Sequence, residues 1–129
     1  MITGQTNNFG VIGHPIGHSL SPDMQNAGIP TAGLDWVYIA MPVDEEDLAQ
    51  AVTGLKTLGF QGFNVTIPHK QAVMPFLDAI DEDARVIGAV NAVAIQDGFM
   101  TGYNTDVVGF LQGMHNHGFS PAGKHAVLL

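Results

Sequence analysis

Short apolar runs alternate with segments of helical periodicity, and this alternation constrains the fold more than any other feature of the chain. Residues 9–13, 36–41 and 60–65 have the apolar, β-branched and aromatic character of buried strands. Between the second and third runs, apolar residues recur at helical spacing before a glycine: Leu48, Val52, Leu55, Leu58 and Gly59. Strands that alternate with helices predict an α/β fold, here a three-layer αβα domain with a mainly parallel, partly mixed sheet.

Capping and turn residues predict the remaining elements. Ser21 before Pro22 is typical of a helix N-cap, and Asp44 is placed to cap the helix that follows the second strand. The dipeptide Asp97-Gly98 between two apolar runs predicts a β-hairpin. The other predicted elements are helices at residues 22–27, 69–77, 81–86 and from Asn104 or Thr105 to Met114, hairpin strands within 89–103, and a last strand at 124–129.

Length and composition limit the classes of protein. The 129 residues predict one domain, 1–129. The formal net charge of −8 argues against a nucleic-acid surface. The absence of cysteine excludes disulfides, Cys-ligated zinc and thiol catalysis, and we expect a cytoplasmic protein. No apolar run approaches the ~20 residues of a membrane span, and no metal-ligand spacing is present, so we expect neither a membrane nor a metal as partner.

Two serines follow the first predicted strand. Ser19 and Ser21 lie beside a predicted helix N-terminus, where two hydroxyls and free N–H groups favour an anion such as a carboxylate. An ordinary cap with a loop serine explains the same pattern. Ligands of open α/β sheets bind beyond the carboxyl ends of the strands, which makes this position a candidate site.

Three further polar residues follow the third predicted strand. Asn64 and Thr66 alternate along an extended segment and so face the same side. Lys70 lies at the start of a predicted helix, where the helix dipole disfavours the protonated cation and favours proton transfer. A solvated surface lysine is the alternative.

The predicted hairpin is flanked by Asn91 and Asp106. Asn91 interrupts an apolar run, so its amide requires a partner, either the backbone or a ligand hydroxyl. Asp106 follows the possible caps Asn104 and Thr105. It either stabilises the N-terminus of the last helix or pairs with Lys70 and tunes the proton affinity of the amine.

Together these segments resemble the shikimate dehydrogenase family, including its shikimate/quinate dehydrogenase relatives. The matching segments are residues 11–22 (VIGHPIGHSLSP), 64–70 (NVTIPHK), 88–92 (GAVNA) and 104–106 (NTD). The resemblance covers the chain from about Phe9 to Leu129. It implies the N-terminal, substrate-binding domain of an NADP-dependent enzyme of aromatic amino acid biosynthesis, which reduces 3-dehydroshikimate to shikimate reversibly.

The resemblance also implies a role for each candidate residue. Lys70 is implied as the catalytic acid/base, Asp106 as its partner, and Glu82 as a residue near the cofactor. The serines would hold the substrate carboxylate, and the remaining polar residues would bind ring hydroxyls or shape the site. The implied substrate-binding residues are Ser19, Ser21, Asn64, Thr66, Lys70, Asn91 and Asp106.

Some features depart from the family pattern. Gln25, Ala92 and Val107 stand where His, Thr and Gly are common, which affects fine specificity. No glycine-rich dinucleotide-binding turn occurs in the sequence. We therefore expect the NADP-binding domain to be absent from this chain, and the chain alone to bind shikimate weakly or undetectably without turnover.

Two alternatives remain open at this point. One is a quinate/shikimate dehydrogenase that uses NAD, and the other is a non-catalytic shikimate-binding sensor module. Lys70 together with Asp106 argues mildly against a sensor, because binding needs no proton donor. We expect a monomer or a homodimer.

Overall fold

Six strands form a single sheet in the computed structural model, which describes residues 1–128. The strands are β1 Asn7–Gly13, β2 Trp36–Pro42, β3 Gly62–Val65, β4 Ala79–Ile80, β5 Ala92–Gln96 and β6 Phe99–Tyr103. The α-helices are α1 Ser21–Gly28, α2 Leu48–Thr57, α3 Glu82–Ile87 and α4 Asp106–Asn116. Short 3₁₀ helices span Pro30–Ala32, Glu45–Asp47 and Met74–Phe76.

The sheet is mainly parallel and has one reversed strand. Its order is β2-β1-β3-β5-β6-β4. β1 is parallel to β2 and β3, β4 is parallel to β6, and β5 runs antiparallel to both of its neighbours. The hairpin of β5 and β6 is confirmed. Asp97 and Gly98 both have positive φ (51° and 75°), as the primed two-residue turn requires.

Helices cover both faces of the sheet, which confirms the three-layer α/β architecture. On one face, α2 buries Leu48, Val52 and Leu55 against Ile12 and Phe63. On the other face, the segment around α1 packs over a smaller cluster: Val11, Ile16, Ile29 and Tyr38. Leu58, the last apolar position of the predicted stripe, is the C-cap residue of α2 and is 72% exposed, so it does not face the core.

Residues 69–77 do not form the predicted helix. They form turns and the 3₁₀ helix Met74–Phe76. Pro75 lacks a backbone N–H and disfavours helical geometry in the residue before it. In addition, the carbonyl of Lys70, which a helix would use internally, accepts a hydrogen bond from the Val90 N–H at 2.8 Å.

Three other differences concern strands and caps. The two-residue strand β4 was not predicted. Residues 124–128 are exposed and form no strand, because a strand requires a hydrogen-bonding neighbour; position 129 of the predicted strand lies outside the described residues. Asp44 precedes a 3₁₀ turn without capping it, and its carboxylate pairs with His14 instead. No helix within residues 1–128 is long and apolar enough to span a membrane.

Candidate functional site

The four predicted polar clusters all lie next to strand ends at one edge of the sheet. β1, β3 and β6 end at this edge, and the reversed β5 begins there. The register pairs Asn64 with Ala92, and Ala92 with Tyr103. Asn91, which precedes β5, therefore lies between the end of β3 and the end of β6. The sheet topology brings together segments that are far apart in sequence.

Lys70 and Asp106 form an ion pair at this edge. The Lys70 Nζ donates to Asp106 Oδ2 at 2.5 Å, with side-chain exposures of 33% and 53%. Since residues 69–77 form no α-helix, the predicted effect of a helix dipole on Lys70 is wrong. The dipole acts on Asp106 instead, which is the first residue of α4 and is favoured there as an anion. The predicted contact between the two residues is confirmed, and Asp106 also lies in the first turn of α4; the predicted effect of the contact on proton affinity stays a prediction.

Asn91 connects this ion pair to the backbone. It is 8% exposed. Its Nδ2 donates to Thr105 Oγ1 at 2.8 Å and to Asp106 Oδ1 at 2.9 Å, while its Oδ1 accepts from the Thr105 N–H at 2.9 Å. Both amide hydrogens are thus used within the protein. A lone pair on Oδ1 is what Asn91 can still offer to the hydroxyl of a ligand.

Asn104 holds the start of α4 in place, although the sequence suggested it only as a possible cap. It is 7% exposed. Its Oδ1 accepts from the Asp106 N–H at 3.0 Å, and its Nδ2 donates to the Ala89 carbonyl at 2.9 Å. Asn104, rather than Thr105, supplies the side-chain cap. Asp106 is therefore fixed through both its backbone and its carboxylate.

Asn64 and Thr66 lie at the end of β3. Asn64 Nδ2 donates to the Asn91 carbonyl at 3.2 Å, and its Oδ1 accepts from the Tyr38 hydroxyl at 2.6 Å. The Thr66 N–H donates to the Ile12 carbonyl at 3.0 Å. Gly13 allows this approach, because a Cβ there would lie 2.5 Å from Thr66 Cγ2.

Tyr38 is a site-adjacent residue that the sequence did not reveal. It lies in an apolar strand and is 6% exposed. Burial raises the pKa of Tyr38 from 10 to about 12, so the phenol stays a hydrogen-bond donor at neutral pH. The only available sequence signal was that a buried tyrosine hydroxyl usually finds a partner. Together with Gln25 and apolar neighbours, Tyr38 and Asn64 line a cavity of about 290 Å³.

The two serines lie in the loop after β1 and at the start of α1. Leu20 is the N-cap residue and Ser21 is the first helical residue, so the predicted capping role of Ser21 is wrong. Instead Ser19 Oγ accepts from the Ser21 N–H at 3.2 Å. Within residues 1–128, no hydrogen bond links either serine, Thr66 or Glu82 directly to the ion pair. Glu82 begins α3, after the outermost strand.

Two histidines near this edge have structural partners. His69 is fully buried and its Nε2 lies 2.6 Å from the Val43 carbonyl. His14 pairs with Asp44 at the surface. In the described part of the chain, no three His, Asp or Glu side chains are grouped as a metal site would require.

An α/β domain with a lysine–aspartate pair and converging amides at one sheet edge belongs to the class of ligand-binding domains. Residues 11–93 match the family model described as the shikimate dehydrogenase substrate binding domain. The chain belongs to this family.

Relatives and solved structures agree with this assignment. The chain is 53% identical over 129 residues to the NADP⁺ shikimate dehydrogenase of Geobacter metallireducens, covering 99% of the chain and 45% of that protein. It is similar to the shikimate 5-dehydrogenase of Listeria monocytogenes in complex with shikimate and NAD (TM-score 0.89, 39% identity, 95% of the chain and 43% of that structure). It is also similar to the 5-ketofructose reductase of a Gluconobacter strain (TM-score 0.86, 43% identity, 95% and 44%). The chain thus spans less than half the length of the curated relatives it matches.

Proposed function

We propose that this chain is the substrate-binding domain of an NADP-dependent shikimate dehydrogenase, which interconverts 3-dehydroshikimate and shikimate. The observation that carries the proposal is the Lys70–Asp106 pair, held by Asn91 at the sheet edge where the family's binding segments converge. A charged amine beside a carboxylate suits proton exchange with a substrate oxygen. The chain belongs to a family whose matched model is a substrate-binding domain.

The residues at this edge divide into two functions. Lys70 supplies the proton that the ketone oxygen gains on reduction, and Asp106 orients the amine and accepts from a ring hydroxyl. Ser19 and Ser21 bind the substrate carboxylate through their hydroxyl donors at the start of α1. Asn64, Thr66 and Asn91 contact the ring hydroxyls, for which Asn91 keeps one acceptor lone pair.

The dinucleotide cofactor requires residues other than those at the substrate site. NADPH, when bound, supplies the hydride. The loop after β1, where a dinucleotide-binding fold carries its glycine-rich turn, holds the two serines here. The residues of this chain therefore fit a carboxylate substrate and not a dinucleotide. We propose that NADP is bound mainly by polypeptide outside this chain, with Glu82 as the only candidate contact from this domain, and that the chain alone has no turnover.

Two features favour related alternatives. The Listeria relative was crystallised with NAD, which keeps a quinate/shikimate dehydrogenase that uses NAD in consideration. The similarity to a 5-ketofructose reductase points to a polyhydroxy ketone without a carboxylate. The serines separate only the second case, because shikimate and quinate both carry a carboxylate that two serine hydroxyls can bind, whereas 5-ketofructose has none. A non-catalytic sensor would retain shikimate binding after Lys70 is replaced.

A shikimate titration of the chain, followed by amide NMR, tests the proposal. We expect saturable shifts at millimolar shikimate near Ser19, Thr66, Asn91 and Asp106, and their loss in Lys70→Ala and Ser19→Ala. Lys56→Ala, at an exposed lysine on α2 far from the edge, is the control and should leave the shifts unchanged. A folded spectrum without shifts, both in this chain and in a longer polypeptide that spans the length of its relatives, contradicts a shikimate site formed by these residues. Quinate and 5-ketofructose, titrated in parallel, decide among the alternatives.

A further inference from the structure

We infer that Tyr38 is a positioning residue of the binding site, because its hydroxyl donates to the Asn64 carboxamide and holds that amide in position for the substrate. The inference rests on the proposed function for the identity of the ligand. Tyr38 lies in β2 and contacts Asn64 of β3. It is not one of the predicted substrate-binding residues.

The hydrogen-bond directions leave a single orientation for Asn64. Asn64 Oδ1 can only accept, so the Tyr38 hydroxyl donates to it at 2.6 Å. The Asn91 carbonyl selects this orientation, because it accepts from Asn64 Nδ2 at 3.2 Å and a rotated amide would place Oδ1 against it. The Tyr38 hydroxyl then holds the selected amide in place. One N–H of Asn64 Nδ2 then remains for a ligand. Asn64 thus enters the site as a donor, suited to a hydroxyl or ketone oxygen.

Tyr38 is itself held by α1, the helix that carries the second serine. β2 is one of the two edge strands of the sheet, and in the described residues 1–128 no strand pairs with its outer side. The Asn26 carboxamide occupies this side as a strand residue would. Its Nδ2 donates to the Tyr38 carbonyl at 2.7 Å, and its Oδ1 accepts from the Tyr38 N–H at 2.9 Å. The path Asn26–Tyr38–Asn64 therefore connects the helix of Ser21 to the end of β3.

The tyrosine is well suited to this task. Its ring is buried in the smaller core cluster, which restricts movement of the side chain and keeps the hydroxyl next to Asn64. The phenol is protonated at physiological pH, because even the ordinary tyrosine pKa of 10 lies above that range and burial raises the pKa of Tyr38 further, to about 12. The hydrogen bond to Asn64 is therefore present at any physiological pH.

The variant Tyr38→Phe keeps the ring and removes the hydrogen bond. We expect shikimate binding to the chain to weaken roughly fivefold, the effect of one lost hydrogen bond. In the Asn64→Ala background, Tyr38→Phe should weaken binding no further, because Tyr38 acts through Asn64. Tyr103→Phe, which removes the other tyrosine hydroxyl of the chain, is the matched control. Equal affinity of Tyr38→Phe and wild type, or an equal loss in the Asn64→Ala background, overturns the inference.

A second readout needs no ligand. The side-chain NH₂ resonances of Asn64, assigned by their loss in Asn64→Ala, should shift in Tyr38→Phe and stay in place in Tyr103→Phe. Unmoved Asn64 resonances in Tyr38→Phe overturn the inference. If neither the wild-type chain nor a longer polypeptide that spans the length of its relatives binds shikimate, the proposed function and the substrate part of this inference are both refuted. The Asn64 resonances then still decide whether Tyr38 orients that amide.

Discussion

Replacing Asn91 by alanine tests the central contact of the site most directly. The substitution removes three hydrogen bonds, of 2.8, 2.9 and 2.9 Å, from a side chain that is 8% exposed. Each is worth about 1 kcal/mol net, and the bond to a carboxylate somewhat more. Water can reach the exposed partners Thr105 and Asp106 and recover part of the loss. We therefore expect a loss of about 2 kcal/mol in the free energy of unfolding.

Thermal unfolding followed by circular dichroism measures this loss. At about 2.1 cal/mol/K of unfolding entropy per residue, a loss of about 2 kcal/mol in a chain of this length lowers Tm by about 7 °C. Asn116→Ala is the control, because Asn116 accepts a 2.8 Å bond from Gln112 on an exposed helix surface. It should lower Tm by less than about 2 °C. A fall of less than about 3 °C for Asn91→Ala, or equal falls for both variants, refutes the reasoning.

Three further predictions concern other parts of the molecule. Because burial raises the pKa of Tyr38 from 10 to about 12, the unfolded chain ionises first as the pH rises, and the free energy of unfolding should fall by about 3 kcal/mol between pH 10 and 12. Urea unfolding should show this fall in the wild type, and Tyr38→Phe should abolish it. Gly102→Ala places a Cβ 2.5 Å from Leu77 Cδ1 and should lower the free energy of unfolding by about 1–3 kcal/mol. Gly54 lies in the interior of α2 with open space around it, so Gly54→Ala should raise the free energy of unfolding by about 0.5–1 kcal/mol in the same assay. Lys70→Met should change stability by less than about 1 kcal/mol, because its ion pair is partly exposed, yet abolish the shikimate-induced NMR shifts; a large Tm loss would instead indicate a structural lysine.

Local chemistry made part of the fold predictable from the sequence. Asp97-Gly98 specifies its turn through the φ angles of two residues, and the leucine spacing of α2 specifies a buried face. Residues 69–77 could not be predicted in this way. Their composition favours a helix, but Pro75 interrupts it, and the Val90 N–H, 20 residues further along the chain, donates a hydrogen bond to the Lys70 carbonyl. A tertiary hydrogen bond of this kind leaves no mark in the local pattern.

The residues of the candidate site were predictable where a charged or polar side chain directly follows a predicted strand. The pairing of Lys70 with Asp106 is an example, although the reason offered from helix position was wrong. The role of Tyr38 could not be predicted from the sequence, because its partner Asn64 is 26 residues away and the apolar pattern of its own strand is typical of a core strand. Glu82 remains a prediction, since it lies beyond the outermost strand and its role depends on a cofactor.

The reversed strand explains how Asn91 joins residues that follow parallel strands. In a parallel sheet only the carboxyl ends of strands meet at the ligand edge, and a residue that precedes a strand lies at the opposite edge. Here β5 runs backwards, so Asn91 at its start lies beside the ends of both β3 and β6. The same hairpin that the Asp-Gly turn specifies therefore sets the distance between Asn91 and Asp106. The Val90 N–H also donates to the Lys70 carbonyl, and the Asp106 N–H donates to the Asn104 side chain. Because the backbone of each member of the ion pair is held in this way, a partly exposed pair can keep a defined geometry.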